Sequence, residues 1–250
     1  MPDLALRPRK ATELVDAALQ LYRREPLQFI IGLGMVYIPW MVLILALGLN
    51  NPNTAPTAAN MLLRLVGGVL VYTLAAGVAT VLANDLYFNR SVDLGRAFRE
   101  VVARLVPLAV VSIFAWFAIG LGFAFLIVPG FFLLAHLFAV KQAVLLEGAG
   151  PGTALGRSGA LSRGYKGHIL ATLIILYLLY AAVVIGVLLS SRVIPSSLVQ
   201  FVIQTIVGII VYPMVGITET LLYYDIRIRK EGFDIEYLAS GALEKDAVAT

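Results

Sequence analysis

Two oppositely charged residues interrupt long apolar stretches of this sequence at matching positions. Lys141 lies six residues before Glu147. Glu219 lies six residues before Asp225. At a helical rise of about 1.5 Å per residue, both side chains would lie roughly 9 Å inside the same face of a membrane. Charged groups at that depth are costly and usually paired. The spacing leaves two alternatives. Lys141 and Glu219 could form an ion pair between spans four and six, or Lys141 reaches the membrane surface and Glu219 faces a wet crevice, each separately.

His136 is a second candidate because it lies five residues before Lys141 and would point in nearly the same helical direction. It would extend a polar track through the protein, and the alternative is a hydrogen-bonded packing residue. The other members of such a track would be Gln142, Gln204, Tyr212 and Thr218. No metal site or cofactor is expected, because the second histidine, His168, comes without a paired carboxylate motif and cysteine is absent.

A third candidate is the basic segment that follows a glycine-rich stretch. Arg157, Arg163 and Lys166 would bind the phosphate of an anionic lipid at the membrane surface. The alternative is the ordinary enrichment of basic residues on the cytoplasmic side of a membrane. The preceding glycines lack the Lys-Ser/Thr ending of a phosphate-binding loop, so a flexible loop is expected at Gly148, Gly150, Gly152 and Gly156.

The composition indicates that membrane helices position these residues. Of the 250 residues, 60% are hydrophobic and 14% are charged, whereas soluble domains carry about 25% charged residues. The sequence predicts an all-α fold, a polytopic transmembrane bundle of six spans. The predicted spans are 27–49, 61–83, two within 105–146, 168–189 and 198–224. They form a membrane domain over 27–224, preceded by an N-terminal segment, 1–26, and followed by a tail, 225–250.

Prolines and glycines mark the irregular points of these spans. Pro39 is predicted to kink the first span, and Pro213 interrupts the sixth. The third and fourth spans need a tight turn between them. Pro129-Gly130 is the predicted turn, and Gly120-Leu121-Gly122 is the alternative.

Three short amphipathic helices are predicted on the cytoplasmic side. They lie near 12–24, 91–104 and 153–166, with Thr12, Ser91 and Thr153 as their N-caps. Each of them precedes two spans, which indicates a threefold internal repeat. The alternative is that any cytoplasmic loop is basic and somewhat amphipathic.

Basic residues are concentrated on one side of the predicted bundle. The N-terminal segment, the loops 84–104 and 147–167 and the tail hold most of them, whereas the opposite side holds Arg192 and, near the start of a span, Arg64. Cytoplasmic loops carry an excess of Lys and Arg. Both termini are therefore predicted to be cytoplasmic. The net charge of +4 fits contact with anionic lipid better than contact with nucleic acid.

Four segments, taken in order, carry a resemblance to a known family. They are LRPRKATELVDAALQLYRR near the start, IVPGFFL with LLEGAGPGTALGRS in the middle, and LLYYDIRIRKEGFDIE near the end. Together they resemble the bacterial integral-membrane family named after the membrane domain of glycerophosphoryl diester phosphodiesterases. Some members carry a separate catalytic barrel, for which this chain has no room. The resemblance therefore implies a six-helix module in the bacterial cytoplasmic membrane, without that enzyme activity and without catalytic residues to transfer.

The sequence favours a non-enzymatic membrane module that scaffolds or regulates a protein partner and contacts anionic lipid at its periphery. Its expected partners are membrane lipids, a protein that the sequence does not identify and further copies of the chain. The alternative is a small transporter or permease that uses the track of Lys141, Glu219 and His136. An intramembrane enzyme ranks third, because no nucleophile, base or metal cluster lies at one depth. A continuous polar cavity would favour transport, and a tightly packed interior would favour the scaffold.

Overall fold

The computed structural model describes residues 7–49, 57–190, 194 and 196–235. Within these ranges it contains ten α-helices and no strand, which confirms the predicted all-α fold. The residues outside the described ranges are 1–6, 50–56 and 191–193 (which includes Arg192), residue 195 and the tail beyond 235. The helices are α1 (Ala11–Arg24), α2 (Pro26–Ala46), α3 (Ala58–Tyr87), α4 (Leu94–Ala103), α5 (Leu105–Phe125), α6 (Ile127–His136), α7 (Val140–Leu146), α8 (Pro151–Ser162), α9 (Lys166–Ser190) and α10 (Ser197–Glu231).

Six segments of the described chain are long and apolar enough to cross a membrane, as the sequence predicts. They are α2, α3, α5, the pair α6–α7 taken as one span (Ile127–Leu146), α9 and α10. The chain is therefore a multi-pass integral membrane protein. The helix of the sixth span continues to Glu231, past the predicted boundary at residue 224.

The short helices α1, α4 and α8 each precede two spans, in the predicted order. The apolar face of the amphipathic helix α1 is buried, and it packs mainly against α9 and α10. The predicted N-caps are wrong in all three helices. Asp93, two residues after Ser91, caps α4 by accepting a hydrogen bond from Arg96 N at 3.1 Å. Helix α1 begins after Lys10 rather than at Thr12. Pro151 begins α8 two residues before Thr153, because the fixed backbone angle of proline suits a first helical position.

The turn between the third and fourth spans lies at neither predicted position. It lies at Leu126, whose backbone is extended (φ −158°, ψ 143°) between α5 and α6. Pro129 and Gly130 lie inside the first turn of α6, where proline is tolerated because its missing N–H has no helical acceptor. The glycines serve close packing instead. A Cβ atom on Gly122 would lie 2.9 Å from Gly130 Cα, so the two helices touch along their backbones here.

The fourth span is broken between α6 and α7, which the sequence did not predict. Residues 137–139 are not helical, and Ser158 of α8 replaces the missing backbone hydrogen bonds. Its hydroxyl donates to His136 O at 2.7 Å and accepts from Ala139 N at 3.1 Å. Backbone groups at membrane depth must find partners within the protein. The fully buried Ser158 therefore holds the break open and fixes where α7 begins.

Helices α3 and α10 cross in the middle of the bundle, where small residues allow close approach. A Cβ atom on Gly216 would lie 2.5 Å from the Cβ of Ala79. One end of the bundle, hereafter the basic end, carries α1, α4, α8 and the C-terminal part of α10. Ion pairs connect the helices at this end. Arg96 of α4 is bonded to Asp85 of α3, and Arg157 of α8 is bonded to Glu231 of α10.

Candidate functional site

Lys141 and Glu219 are in direct contact inside the bundle. Lys141 Nζ lies 2.6 Å from Glu219 Oε2, and the two side chains are only 11% and 7% exposed. The hydroxyl of Tyr177, on α9, donates to Glu219 Oε1 at 3.0 Å. The ammonium group of Lys141 lies 5.5 Å from the centroid of the Tyr72 ring. Four spans thus meet at this pair. Of the two sequence-based alternatives for Lys141 and Glu219, the structure shows the ion pair.

The pair lies in the wall of a cavity of about 570 Å³ between the spans. All six spans contribute to its lining. Its polar wall is mostly phenolic and comprises Tyr37, Tyr72, Tyr177, Tyr180 and Tyr212. The rest is largely apolar, so the interior is not tightly packed around the charges.

The cavity is open to the side rather than sealed. Trp116, Phe123 and Ile174 line it, and they are between 39% and 60% exposed on the surface of α5 and α9. These positions lie within membrane spans, so this part of the cavity wall also belongs to the apolar surface of the bundle. Ser112 also lines the cavity, and its buried hydroxyl has no hydrogen-bond partner within the described part of the chain. Buried polar atoms are usually satisfied, so this unpaired hydroxyl is an exception in the cavity wall.

His136 does not extend this site, so the predicted track through His136 is not formed. Its ring stacks on Phe132 at 5.9 Å and packs against α8, where a Cβ atom on Gly159 would lie 2.6 Å from His136 Cε1. The prediction assumed one continuous helix from His136 to Lys141. The break at residues 137–139 changes the helical phase, so the two side chains point toward different neighbours.

The three predicted headgroup residues have different surroundings. Arg157 donates to Glu147 at 2.8 and 2.9 Å and to Glu231 at 2.8 Å, which leaves few donors for a phosphate. Hydrogen bonds to Glu231 and Glu147 raise the pKa of Arg157, so it stays charged in this clamp between α8 and α10. Lys166 lies over the Phe132 ring, 3.4 Å from its centroid, and Arg163 is exposed. Arg163 and Lys166 thus remain candidates for lipid contact.

Sequence reasoning missed a second buried carboxylate, Asp225, which was assigned to the start of the tail. Its Oδ1 accepts from Arg9 N at 2.6 Å, and its Oδ2 accepts from Arg229 Nε at 2.7 Å and lies 2.9 Å from His168 Nε2. Arg229 also donates to Arg9 O at 2.6 Å. Asp225 therefore fastens the N-terminal segment to α9 and α10. No local signal announces a contact between positions 9 and 225.

The site holds a buried ion pair in a cavity with aromatic walls, and a charged ligand could take the place of either partner. A cationic ligand could replace the ammonium of Lys141 at Glu219, and an anionic ligand could replace Glu219 at Lys141. Among the described residues, no group of three His, Asp or Glu side chains is arranged to hold a metal ion.

Comparisons with protein-family models, curated proteins and solved structures found no match.

Proposed function

We propose that this chain is a small membrane carrier that binds a hydrophobic organic cation beside Glu219. The cavity carries this proposal. Its volume of about 570 Å³ suits a small-molecule site, since such sites typically occupy roughly 300–1,000 Å³. The cavity is largely apolar rather than the continuous polar cavity expected of a transporter, but an interior this open is not the tight packing expected of a scaffold. We therefore favour a carrier for a ligand with a hydrophobic body over a scaffold and over an enzyme. The break in the fourth span supports the same choice, because interrupted helices often form transporter sites.

The preference for a cation follows from the walls of the cavity. Glu219 is oriented by the Tyr177 hydroxyl, and aromatic faces attract cations through their negative ring surfaces. Lys141 already occupies such a position, between Glu219 and the Tyr72 ring. A ligand with a positive charge and an apolar body would displace this ammonium and fill the apolar part of the cavity. An anion would face the same aromatic surfaces unfavourably.

Tetraphenylphosphonium and tetraphenylborate provide a matched test, because they share a shape and differ in charge. Trp40→Phe leaves Trp116, in the cavity wall, as the remaining tryptophan of the chain. We expect saturable quenching of Trp116 by the phosphonium in lipid nanodiscs. Ala115→Phe fills the cavity and should abolish it, whereas Ile113→Phe, on the lipid-facing side of the same helix, should not. Equal effects of the two substitutions, or a preference for the borate, would refute this function.

Carriage across the membrane is a separate measurement. Proteoliposomes loaded with DNA report entry of ethidium, another hydrophobic cation, by a rise in fluorescence. Entry should exceed that of empty liposomes and fall to the empty level with Ala115→Phe. Binding without faster entry would leave a ligand-binding membrane protein and remove the carrier.

We also propose membership of the family that the four sequence segments resemble. We further propose residence in the bacterial cytoplasmic membrane, with the basic end in the cytoplasm. The enrichment of Lys and Arg at that end supports this orientation. The chain has no cysteine, so single introduced cysteines report position cleanly. In intact cells, an impermeant thiol reagent should label cysteines at the exposed Thr57 and Ser196, and not at the exposed Ser91 and Thr153. The reverse pattern would invert the topology.

A further inference from the structure

A second cavity, of about 460 Å³, lies at the basic end, away from the Lys141–Glu219 pair. The ends of α3, α4, α7 and α10 surround it. Four arginines line it, Arg90, Arg96, Arg104 and Arg227, against the single carboxylate of Glu100. We call it the arginine pocket. None of its arginines belongs to the basic group that the sequence singled out for lipid contact.

Protein contacts hold three of these guanidinium groups in place. Arg104 donates to Val144 O at 3.0 Å and to Leu145 O, at the C-terminal end of α7. Arg96 bonds Glu100 at 2.6 Å and also the buried Asp85. Arg227 lies over the Phe233 ring, 4.2 Å from its centroid, and donates to Glu231 at 3.0 Å. Their positions are thus set before any ligand arrives.

The charges of the pocket are not balanced by its own lining. Asp85 and Glu231 bind Arg96 and Arg227 but do not line the pocket, and Glu100 is its one acidic wall. Within the described ranges, neither Arg90 nor Arg104 forms an ion pair. Arg90 is exposed, with its guanidinium 5.4 Å from the Phe88 ring centroid. A net positive pocket with one accessible arginine favours an anionic occupant.

The depth of the pocket and its apolar wall indicate which anion. Leu145 and Leu146 line it at the end of the fourth span, where the chain leaves the hydrocarbon region. A guanidinium group matches the oxygens of a phosphate group, because it can donate two parallel hydrogen bonds. Arg90 lines the pocket with no ion pair among the described residues, whereas Arg96 and Arg227 are bonded to carboxylates and add mainly positive charge. We propose that the arginine pocket binds a phosphate-bearing molecule at the membrane surface. This proposal does not depend on the carrier function of the first cavity.

A lipid headgroup and a free phosphate compound share this chemistry, and the experiment separates them. The full chain in dodecyl maltoside, without phosphate buffer, is titrated with short-chain phosphatidylglycerol, with glycerol phosphate and with inorganic phosphate at constant ionic strength. Native mass spectrometry and thermal shift report binding. Binding of the lipid alone identifies a headgroup site. Comparable binding of glycerol phosphate or inorganic phosphate identifies a free ligand.

Three single substitutions test the pocket while sparing the arginines that hold the fold. Arg90→Gln should weaken binding about fivefold, which corresponds to about 1 kcal/mol for one basic residue near an anionic group. Glu100→Gln removes the acidic wall and should strengthen binding by a similar factor. Arg99→Gln is the matched control, because Arg99 is exposed on the same helix as Glu100 but does not line the pocket.

The pattern of the three variants decides the proposal. Loss with Arg90→Gln, gain with Glu100→Gln and no change with Arg99→Gln would establish the site. Equal losses with Arg90→Gln and Arg99→Gln would show general surface charge and overturn it. Absence of binding by all three probes, with the wild-type chain intact by thermal unfolding, would overturn it as well.

Discussion

Neutralising one member of the Lys141–Glu219 pair should destabilise the protein more than neutralising both. In Lys141→Met, the Glu219 carboxylate keeps the Tyr177 hydroxyl but loses its cation. In Glu219→Gln, the ammonium of Lys141 keeps only the face of Tyr72. Each variant strands one charge at a position where the side chains are 11% and 7% exposed. The double variant contains no stranded charge.

The expected size follows from the burial of the pair. Removing one partner of a buried ion pair costs about 3–5 kcal/mol, whereas replacing both partners by neutral groups is often close to neutral. For a chain of this length, a loss of that size lowers the Tm by about 6–20 °C. Tyr177→Phe removes one hydrogen bond to Glu219 and should cost less, about 1–3 kcal/mol.

Thermal unfolding in one detergent provides the measurement, with the wild type, the two single variants of the pair, the double variant and Tyr177→Phe prepared in parallel. The double variant should have a Tm above that of either single variant. Additive losses, with the double variant less stable than both single ones, would refute the coupling inferred from the 2.6 Å contact. A double variant that recovers stability but not quenching by tetraphenylphosphonium would show that the pair serves ligand binding in addition to folding.

Three further outcomes test the packing that positions the site. Ser158→Ala should lower stability by about 1–3 kcal/mol for each backbone group it leaves unpaired at the break in span four, whereas Ser162→Ala, which loses a bond within its own helix, should cost less in the same thermal assay. Gly216→Ala should cost about 1–3 kcal/mol by crowding α3. Gly208→Ala, whose nearest neighbour is 3.7 Å away, should be neutral or stabilising through helix propensity, and similar losses in both variants would contradict the crowding. Asp225→Asn weakens charged hydrogen bonds that hold the N-terminal segment, so trypsin should cleave that segment about tenfold faster, and an unchanged rate would contradict its role as a fastener.

The depth of a residue within the membrane was easier to predict from the sequence than the direction in which its side chain points. The ends of apolar runs mark where spans begin and end, so Lys141 and Glu219 could be assigned to one depth and paired. Rotation about the helix axis was less accessible. The argument that joined His136 to Lys141 needed an unbroken helix, and the break between them is stabilised by Ser158, which is 22 residues from His136 in sequence. The hydrogen bond from Ser158 thus determines in which direction the His136 side chain points relative to Lys141.

Glycine and proline were misinterpreted where they serve packing rather than turns. The Pro129-Gly130 pair has the composition of a hairpin turn, yet it lies in the first turn of α6. Proline is acceptable at that position, and the glycine gives the room that Gly122 of α5 needs. The dipeptide has the same letters in both roles. The two roles can be told apart only from the packing of the neighbouring helix, which the local sequence does not show.

Charge bias identified which end of the bundle is basic but not which arginines face a ligand. Arg157 looked available, yet it is bound by Glu147 and by Glu231, 10 and 74 positions away in sequence. The arginine pocket, in turn, gathers Arg90 and Arg227 from opposite halves of the chain. Such groupings depend on how the spans pack, which hydropathy does not encode.

One signal for the missing contacts was nevertheless present in α10. Glu219, Tyr223, Arg227 and Glu231 recur every four residues, which places them along one face of a helix. That face runs along α7 from its start to its end and reaches the middle of α8. Glu219 contacts Lys141, the hydroxyl of Tyr223 donates to Glu147 at 2.6 Å, and Glu231 binds Arg157. A polar stripe at the end of an apolar span thus predicts a buried polar seam between helices rather than a solvated tail. The boundary at residue 224 divided this stripe, and that division hid Asp225, Arg227 and Glu231 from consideration as parts of the membrane domain.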